Sequence, residues 1–162
     1  MNKNQTSINV TKYFKVAEVK TDSHSIYLII QEKLHRADEF YSANVVDALR
    51  RLLQSYDFTT EDAMMYEKRQ QNEESVRDFL SQPSGFPLDN EENKQIINIM
   101  QGLFNGLAFL DMNDIFYTDV WLPNLLFRNR NTPVIIDLGY SASPHAGQID
   151  VLELKRKKYK KS

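Results

Sequence analysis

The chain opens with short apolar stretches at the spacing of β-strands. Residues 13–19 alternate loosely between apolar and polar side chains, and residues 26–30 form a nearly continuous apolar run, as expected of a strand buried on both faces. Residues 21–25 between them are turn formers. The pattern predicts an antiparallel hairpin, and residues 1–11 before it are predicted to be a polar lead-in.

The apolar positions then change to helical spacing. Over residues 40–53 they recur every three or four positions, and Ser42 or Asp38 can cap a helix there. Residues 59–80 are highly charged and begin with a helix-start signal, so a second, exposed helix is predicted. The proline and glycine residues at 83–87 mark a loop after it.

The most apolar helix is predicted after that loop. Asp89 and Asn90 can cap its start, and the two glutamates that follow suit the positive end of the helix dipole. Apolar side chains between residues 96 and 110 cover a wide surface, so this helix is expected to lie at the centre of the domain. The Asn-Asp pair at 113–114 is predicted to end it.

Three polar residues flank a second predicted hairpin, whose apolar strands lie at 125–127 and 134–136. Asp119 and Asn124 precede the first strand, and Asp137 directly follows the second. Because the two outer ends of a hairpin lie on the same side, these groups are expected to meet in one pocket. Phosphoryl transfer needs such a set, with a carboxylate to orient the attacking hydroxyl and oxygen ligands to hold Mg²⁺ against the phosphates.

Residues 117–124, YTDVWLPN, resemble the catalytic loop of protein kinases, H-R-D-L-x-x-x-N, in their Asp-x4-Asn spacing. Residues 137–139, DLG, are similar to the D-F-G motif of the same family. The order of the two motifs, the strand-turn-strand between them and the long apolar helix before them strengthen the resemblance. It covers roughly residues 13–141.

The resemblance implies an α+β, protein-kinase-like fold and a role for each matching residue. Asp119 and Asn124 would be catalytic, Asn124 and Asp137 would hold Mg²⁺, and ATP would be the phosphate donor. Residues 31–34 would be the hinge, where the backbone groups of Glu32 and Leu34 would bind adenine.

One kinase-like domain is expected over residues 1–162. Residues 13–34 would be the remaining strands and hinge of the small lobe. Residues 35–141 would be the core of a mainly helical large lobe, including the small hairpin next to the catalytic loop. A basic tail, residues 142–162, would follow.

The chain also departs from the kinase pattern. Tyr117 and Thr118 replace the usual His and Arg, and Trp121 stands where protein kinases usually have Lys. None of the five glycines precedes the first strand, so a glycine-rich phosphate loop is missing from this sequence, as is a clear V-A-I-K strand. We therefore interpret the chain as a truncated or degenerate kinase-like protein.

Three functions stay open on these grounds. The first is ATP-dependent phosphate transfer to a protein hydroxyl, the second a non-catalytic, pseudokinase-type binding module, and the third a small-molecule kinase of the aminoglycoside or choline type. The last group usually carries His-Gly-Asp at the start of the loop, which is absent here. Because a shortened lobe leaves strand edges exposed, a homo-oligomer or a partner that completes the fold is expected.

The amino-acid composition indicates the size of the core and the cellular compartment more than it indicates the function. A length of 162 residues is enough for one core, and the net charge of −2 argues against nucleic-acid or membrane binding. The chain has no cysteine, so disulfides and cysteine-bound zinc are excluded, and a reducing, cytoplasmic location is expected. The three histidines are far apart in sequence, so they predict no shared metal site.

Overall fold

A computed structural model describes residues 7–59, 65–82 and 88–136. Within these ranges the chain is an α+β protein with three α-helices and two antiparallel two-stranded sheets. Predictions that concern Asp137, the loop at 83–87 and the basic tail fall outside the described residues. The elements in chain order are β1 (Tyr13–Lys20), β2 (Ser25–Gln31), α1 (Ala43–Ser55), α2 (Met65–Ser81), α3 (Asn90–Met112), β3 (Leu125–Asn129) and β4 (Thr132–Ile135).

The first predicted hairpin is confirmed. β1 and β2 pair antiparallel, with Val19 opposite Ile26 and Ala17 opposite Leu28. The expectation that the second strand is buried on both faces is wrong for its first half. Ile26, Tyr27 and Leu28 are 48%, 63% and 52% exposed, because the described elements leave this end of the hairpin uncovered.

Side-chain caps set the starts of α1 and α3. Ser42, one of the two predicted caps of α1, accepts a hydrogen bond from the backbone N–H three residues further on, at 3.3 Å. At α3, Asp89 Oδ1 accepts from the backbone N–H of Glu92 at 2.8 Å, and the Glu92 carboxylate accepts from the backbone N–H of Asp89 at 3.3 Å. This reciprocal pair is a capping box. α3 ends at Met112, with Asn113 as its C-cap, as predicted.

The core is built around α3, in agreement with its predicted central place. α1, α2 and β4 all pack against it. α2 is described over Met65–Ser81, and Val76 and Phe79 bury its inner face. Residues 60–64, which follow the predicted start of this helix, lie outside the described residues. The largest fully buried side chains are those of Tyr117, Phe58, Phe127, Leu49, Leu52, Ile96, Ile99, Met100, Leu103, Leu110, Ile135 and Val45. Across the described ranges, none of the helices has the length and apolarity needed to cross a bilayer.

The segment before β1 belongs to the core, so the predicted polar lead-in is wrong for its last residues. Asn9, Val10 and Thr11 are all buried. The backbone N–H of Ile135 donates to Asn9 O, and the N–H of Thr11 donates to Ile135 O, both at 2.9 Å. Asn9 Nδ2 also donates to the carbonyl of Pro133 at 2.9 Å. The segment therefore adds a parallel bridge to β4.

Two glycines of α3 make room for this segment. A Cβ at Gly106 would lie 2.8 Å from Asn9 O and 2.8 Å from Ile135 Cδ1, and a Cβ at Gly102 would overlap the ring of Pro133. Only glycine permits so close an approach of helix, strand and lead segment. This packing fixes β4, and with it the hairpin that follows the candidate catalytic loop.

Candidate functional site

The loop between α3 and β3 holds the two predicted catalytic residues, Asp119 and Asn124, and it brings them into direct contact. Asn124 is the last residue of a short 3-10 turn, Leu122–Asn124, and only 7% of it is exposed. Its Nδ2 donates to the carboxylate oxygen Oδ2 of Asp119 at 2.9 Å and to the backbone carbonyl of Asp119 at 3.0 Å. The Asp-x4-Asn spacing thus closes a compact loop.

These contacts fix the orientation of the Asn124 amide. Both partner atoms on Asp119 are acceptors, so the amide nitrogen must face them and the amide oxygen must face away. The oxygen is not among the buried side-chain atoms that lack a partner in the described part of the chain. Asn124 therefore holds the Asp119 carboxylate through the nitrogen of its amide, and the amide oxygen is the atom that the predicted magnesium role would use.

Tyr117 connects this loop to the end of β4. The residue is 1% exposed, and its hydroxyl lies 2.8 Å from the carbonyl oxygen of Ile136 and 3.2 Å from that of Asp119. The backbone N–H of Ile136 in turn donates to Asn124 O at 3.0 Å. Asp119, Asn124, Ile136 and Tyr117 are therefore joined in one closed ring of hydrogen bonds.

Asp137, the third predicted site residue, lies outside the described residues. The residue before it, Ile136, is held by two hydrogen bonds of the ring just described. No group of three His, Asp or Glu side chains that could hold a metal is found in the ranges the structure describes. The predicted ligand pair of Asn124 and Asp137 is not covered by that search.

The predicted hinge lies against β3, the strand that follows Asn124. His35 and Phe127 exchange two backbone hydrogen bonds, of 2.8 and 2.7 Å. Arg128 makes two hydrogen bonds to Glu32, from Nε to Oε2 at 2.8 Å and from Nη2 to Oε1 at 2.5 Å. The bonds from Arg128 lower the pKa of Glu32, and the pKa of Arg128 is raised by the same pair. The ion pair therefore joins the end of β2 to the hairpin of β3 and β4.

The two predicted adenine-binding residues differ in the hydrogen bonds of their backbone groups. The N–H of Glu32 donates to the carbonyl of Lys12 at 3.3 Å, and the backbone N–H of Lys12 donates to the Glu32 carboxylate at 3.2 Å. Leu34 is half-buried and directly precedes the His35–Phe127 bridge. Adenine recognition by Glu32 and Leu34 stays a prediction.

A groove of about 500 Å³ runs between the candidate catalytic loop and α1. Trp121, which is 52% exposed, lies on its loop side. We call it the loop–α1 groove. Its lining residues are Arg36, Ala37, Asp38, Val46, Arg50, Gln54, Trp121, Leu122, Pro123, Leu125 and Leu126.

Sequence reasoning missed two residues that hold the site together. The sequence marks Tyr117 only as a replacement for His, and it gives Arg128 no predicted role. The signal for Tyr117 was available, since a tyrosine inside an apolar stretch needs a partner for its hydroxyl. Nothing local in the sequence pairs Arg128 with Glu32, which lies 96 residues away.

Comparisons of the chain with models of protein families, with curated proteins and with solved structures found no match.

Proposed function

We propose that this chain is a protein-kinase-like phosphotransferase that binds Mg-ATP and transfers a phosphate to a protein hydroxyl. The observation that supports it best is the contact between Asn124 and Asp119, together with the two hydrogen bonds that hold Ile136 beside them. The motif spacing read from the sequence and this contact point to the same chemistry.

In this proposal each residue has one role. The Asp119 carboxylate orients the acceptor hydroxyl and takes its proton, which requires a fixed carboxylate within hydrogen-bond reach of that hydroxyl. The Asn124 amide supplies that fixation through two donated hydrogen bonds. Tyr117 keeps the end of β4 beside the loop. Most of the rate gain in phosphoryl transfer comes from positioning and electrostatic stabilisation.

The donor set fits a hard divalent cation. The outward amide oxygen of Asn124 and the carboxylate of Asp137 would hold Mg²⁺, which prefers oxygen ligands. Bound there, the cation would offset the negative charge of the phosphates. Glu32 and Leu34 would contribute backbone groups to the adenine.

A phosphotransfer assay with Mg-ATP and a mixture of protein acceptors tests the proposal. Asp119→Asn keeps an acceptor for the Asn124 amide, so the loop should stay folded while turnover falls about 10²–10⁴-fold. Asp78→Asn, on the exposed side of α2, is the matched control and should leave turnover unchanged. Equal rates for wild type and Asp119→Asn would refute the catalytic role.

Nucleotide binding has its own readout. Mg-ATP at 100 times its dissociation constant should raise the free energy of unfolding by about 2.7 kcal/mol. The absence of any thermal shift at millimolar Mg-ATP would contradict the proposal at its first step.

A non-catalytic binding module is the second candidate, and Trp121 favours it. Its indole is exposed at the position where protein kinases usually have a lysine, and it cannot supply a positive charge to the transferred phosphate. This candidate predicts the thermal shift with Mg-ATP but no turnover on either proteins or hydroxylated small molecules. Turnover confined to small molecules would instead favour the aminoglycoside- or choline-type alternative.

Association is part of the proposal as well. Among the side chains of the β1–β2 hairpin that the structure describes, four large apolar ones are exposed, those of Val19, Ile26, Tyr27 and Leu28. Clustered apolar exposure beside a strand edge is typical of an interface. A second copy of the chain or a partner that completes the small sheet would cover it.

A further inference from the structure

We infer that the loop–α1 groove binds the acceptor, and that the acceptor is a protein segment with acidic and large apolar residues beside its hydroxyl. This inference rests on the proposed function and gives its acceptor a chemical class. It uses features of the chain that the Asp119–Asn124 contact leaves unexplained, namely the exposed Trp121 and two arginines that face the same groove.

The groove is lined by the same loop that carries Asp119, although Asp119 itself is not among the lining residues. Trp121 lies two residues after Asp119, so their Cα atoms are at most about 7 Å apart. Leu122 and Pro123, which also line the groove, belong to the 3-10 turn that ends in Asn124. The residue that fixes Asp119 therefore also fixes the loop side of the groove. If a protein segment lies in the groove, a hydroxyl that is a few residues away along that segment would come close to Asp119.

The apolar part of the lining suits large side chains. Val46, Leu125 and Leu126 form it together with the loop residues, and the volume of about 500 Å³ is within the usual range for ligand sites. Trp121 offers a broad apolar face and an N–H donor at the rim, and tryptophan is the residue type most often found to anchor an interface.

The charged residues around the groove determine whether it favours an acidic or a basic ligand. Arg36 and Arg50 line it, against a single carboxylate, that of Asp38. Asp47 pairs with Arg50 at 3.1 Å and also with Arg51 at 3.5 Å, so one carboxylate is shared by two guanidinium groups. Arg36 pairs with Asp38 at 3.4 Å, with both side chains mostly exposed.

Such exposed pairs are weak, so an incoming carboxylate can take their place at little cost. The residues that line the groove carry two guanidinium groups and one carboxylate, a net charge of +1, and this charge favours acidic residues in the acceptor and disfavours basic ones.

The single tryptophan of the chain makes binding directly measurable. The probes are three serine peptides that share the same leucines and carry glutamate, glutamine or lysine at the flanking positions. They are titrated into the full chain while Trp121 fluorescence is recorded, using Asp119→Asn so that no turnover occurs.

We expect a saturable emission shift with the glutamate peptide, weakened by salt. We expect at least fivefold weaker binding by the lysine peptide. The matched variants are Arg50→Glu and Arg77→Glu, which make the same charge change; only Arg50 lines the groove, and Arg77 is an exposed residue of α2 that takes no part in the ion pairs of Asp47.

Arg50→Glu should weaken binding of the glutamate peptide about 5- to 10-fold, and Arg77→Glu should weaken it less than about twofold. With the wild-type protein and Mg-ATP, kcat/KM should likewise be higher for the glutamate peptide than for the lysine peptide. Equal binding of the three peptides, no binding, or equal effects of the two variants would overturn the acceptor assignment. Selective binding without turnover on any peptide would refute the catalytic function and leave the groove assignment standing.

Discussion

The guanidinium group of Arg128 and the carboxylate of Glu32 form two parallel hydrogen bonds across 96 residues of sequence. Arg128 also donates from Nη1 to the carbonyl of Ile8 at 2.6 Å. Since both side chains are mostly buried, at 23% and 13% exposure, the pair is less screened than a surface ion pair. One guanidinium thus joins β3, the end of β2 and the segment before β1.

This pair predicts how stability depends on pH. The pKa of Glu32 is lowered in the folded protein, chiefly by Arg128, so folding favours the charged carboxylate. Its contribution is complete above the unfolded-state pKa, about 4.3, and is lost as the pH falls through the lower folded-state pKa. Glu32→Gln should cost roughly 1–3 kcal/mol at pH 7. It should also flatten the loss of stability below about pH 4.3.

Urea unfolding of wild type and Glu32→Gln between pH 7 and pH 3 measures both effects. Glu67→Gln, at an exposed site on α2, removes a carboxylate without touching the pair and serves as the control. Parallel pH curves for wild type and Glu32→Gln would contradict the assignment.

The buried hydroxyl of Tyr117 predicts a separate effect on stability and activity. Tyr117→Phe leaves the carbonyl of Ile136 without this donor and should cost about 1 kcal/mol. If the chain is a phosphotransferase, turnover should fall by more than the stability loss explains, because the end of β4 is no longer tied to the loop. Tyr27→Phe removes a solvent-exposed hydroxyl and is the control. Unchanged melting temperature and turnover in Tyr117→Phe would show that the ring of hydrogen bonds is unimportant.

At Gly106 we expect the usual stabilising effect of a Gly→Ala substitution to become destabilising. On a free helix surface Gly→Ala stabilises by up to about 1 kcal/mol. At Gly106 the added Cβ meets Asn9 O and Ile135 Cδ1 at 2.8 Å, so overpacking should instead destabilise by about 1–3 kcal/mol. Chemical denaturation gives the sign, with the exposed neighbour Asn105→Ala as control. A stabilised Gly106→Ala would mean that the lead segment does not pack against α3.

The difference in charge between the two strands of the first hairpin indicates which strand edge mediates association. β1 carries Lys15, Glu18 and Lys20, whereas β2 carries no charged residue at all. Charges on an edge strand oppose further pairing, so β2 is the edge open to another strand. Wild type should therefore associate at tens of micromolar in sedimentation velocity, and Ile26→Lys should give monomers.

Val19→Lys tests whether the strand edge or the apolar face mediates this association. Val19 lies opposite Ile26 and is similarly exposed, at 45%, but on the charged strand. Association that survives Val19→Lys and fails with Ile26→Lys supports the β2 edge. A monomeric wild type, or equal loss in both variants, would contradict it.

The sequence predicted the helix ends well where they depend on hydrogen bonds between residues close together in the chain. The cap at Ser42, the capping box at Asp89 and the end of α3 at Asn113 depend on side chains within a few residues of the backbone groups that they bind. The hairpin of β3 and β4 is likewise set by neighbouring residues, with Leu126 opposite Val134.

The errors arose where burial depends on distant residues. The segment at Asn9 is polar in sequence, yet it is buried, because the carbonyl of Pro133 accepts from the Asn9 side chain and Ile135 pairs with the backbone of Asn9 and Thr11. The opposite holds for Ile26, which is apolar but exposed. A polarity pattern gives no information about which element will cover a strand.

The sequence by itself determined the helices, both hairpins and the Asp-x4-Asn spacing, because caps, turns and periodicity act over a few residues. Only the tertiary structure decided that Asn124 fixes the carboxylate of Asp119, that Tyr117 ties the loop to Ile136, and that Arg128 binds Glu32. Those contacts arise when α3, β4 and the lead segment pack together, and packing between distant segments leaves no periodic trace in the order of the residues.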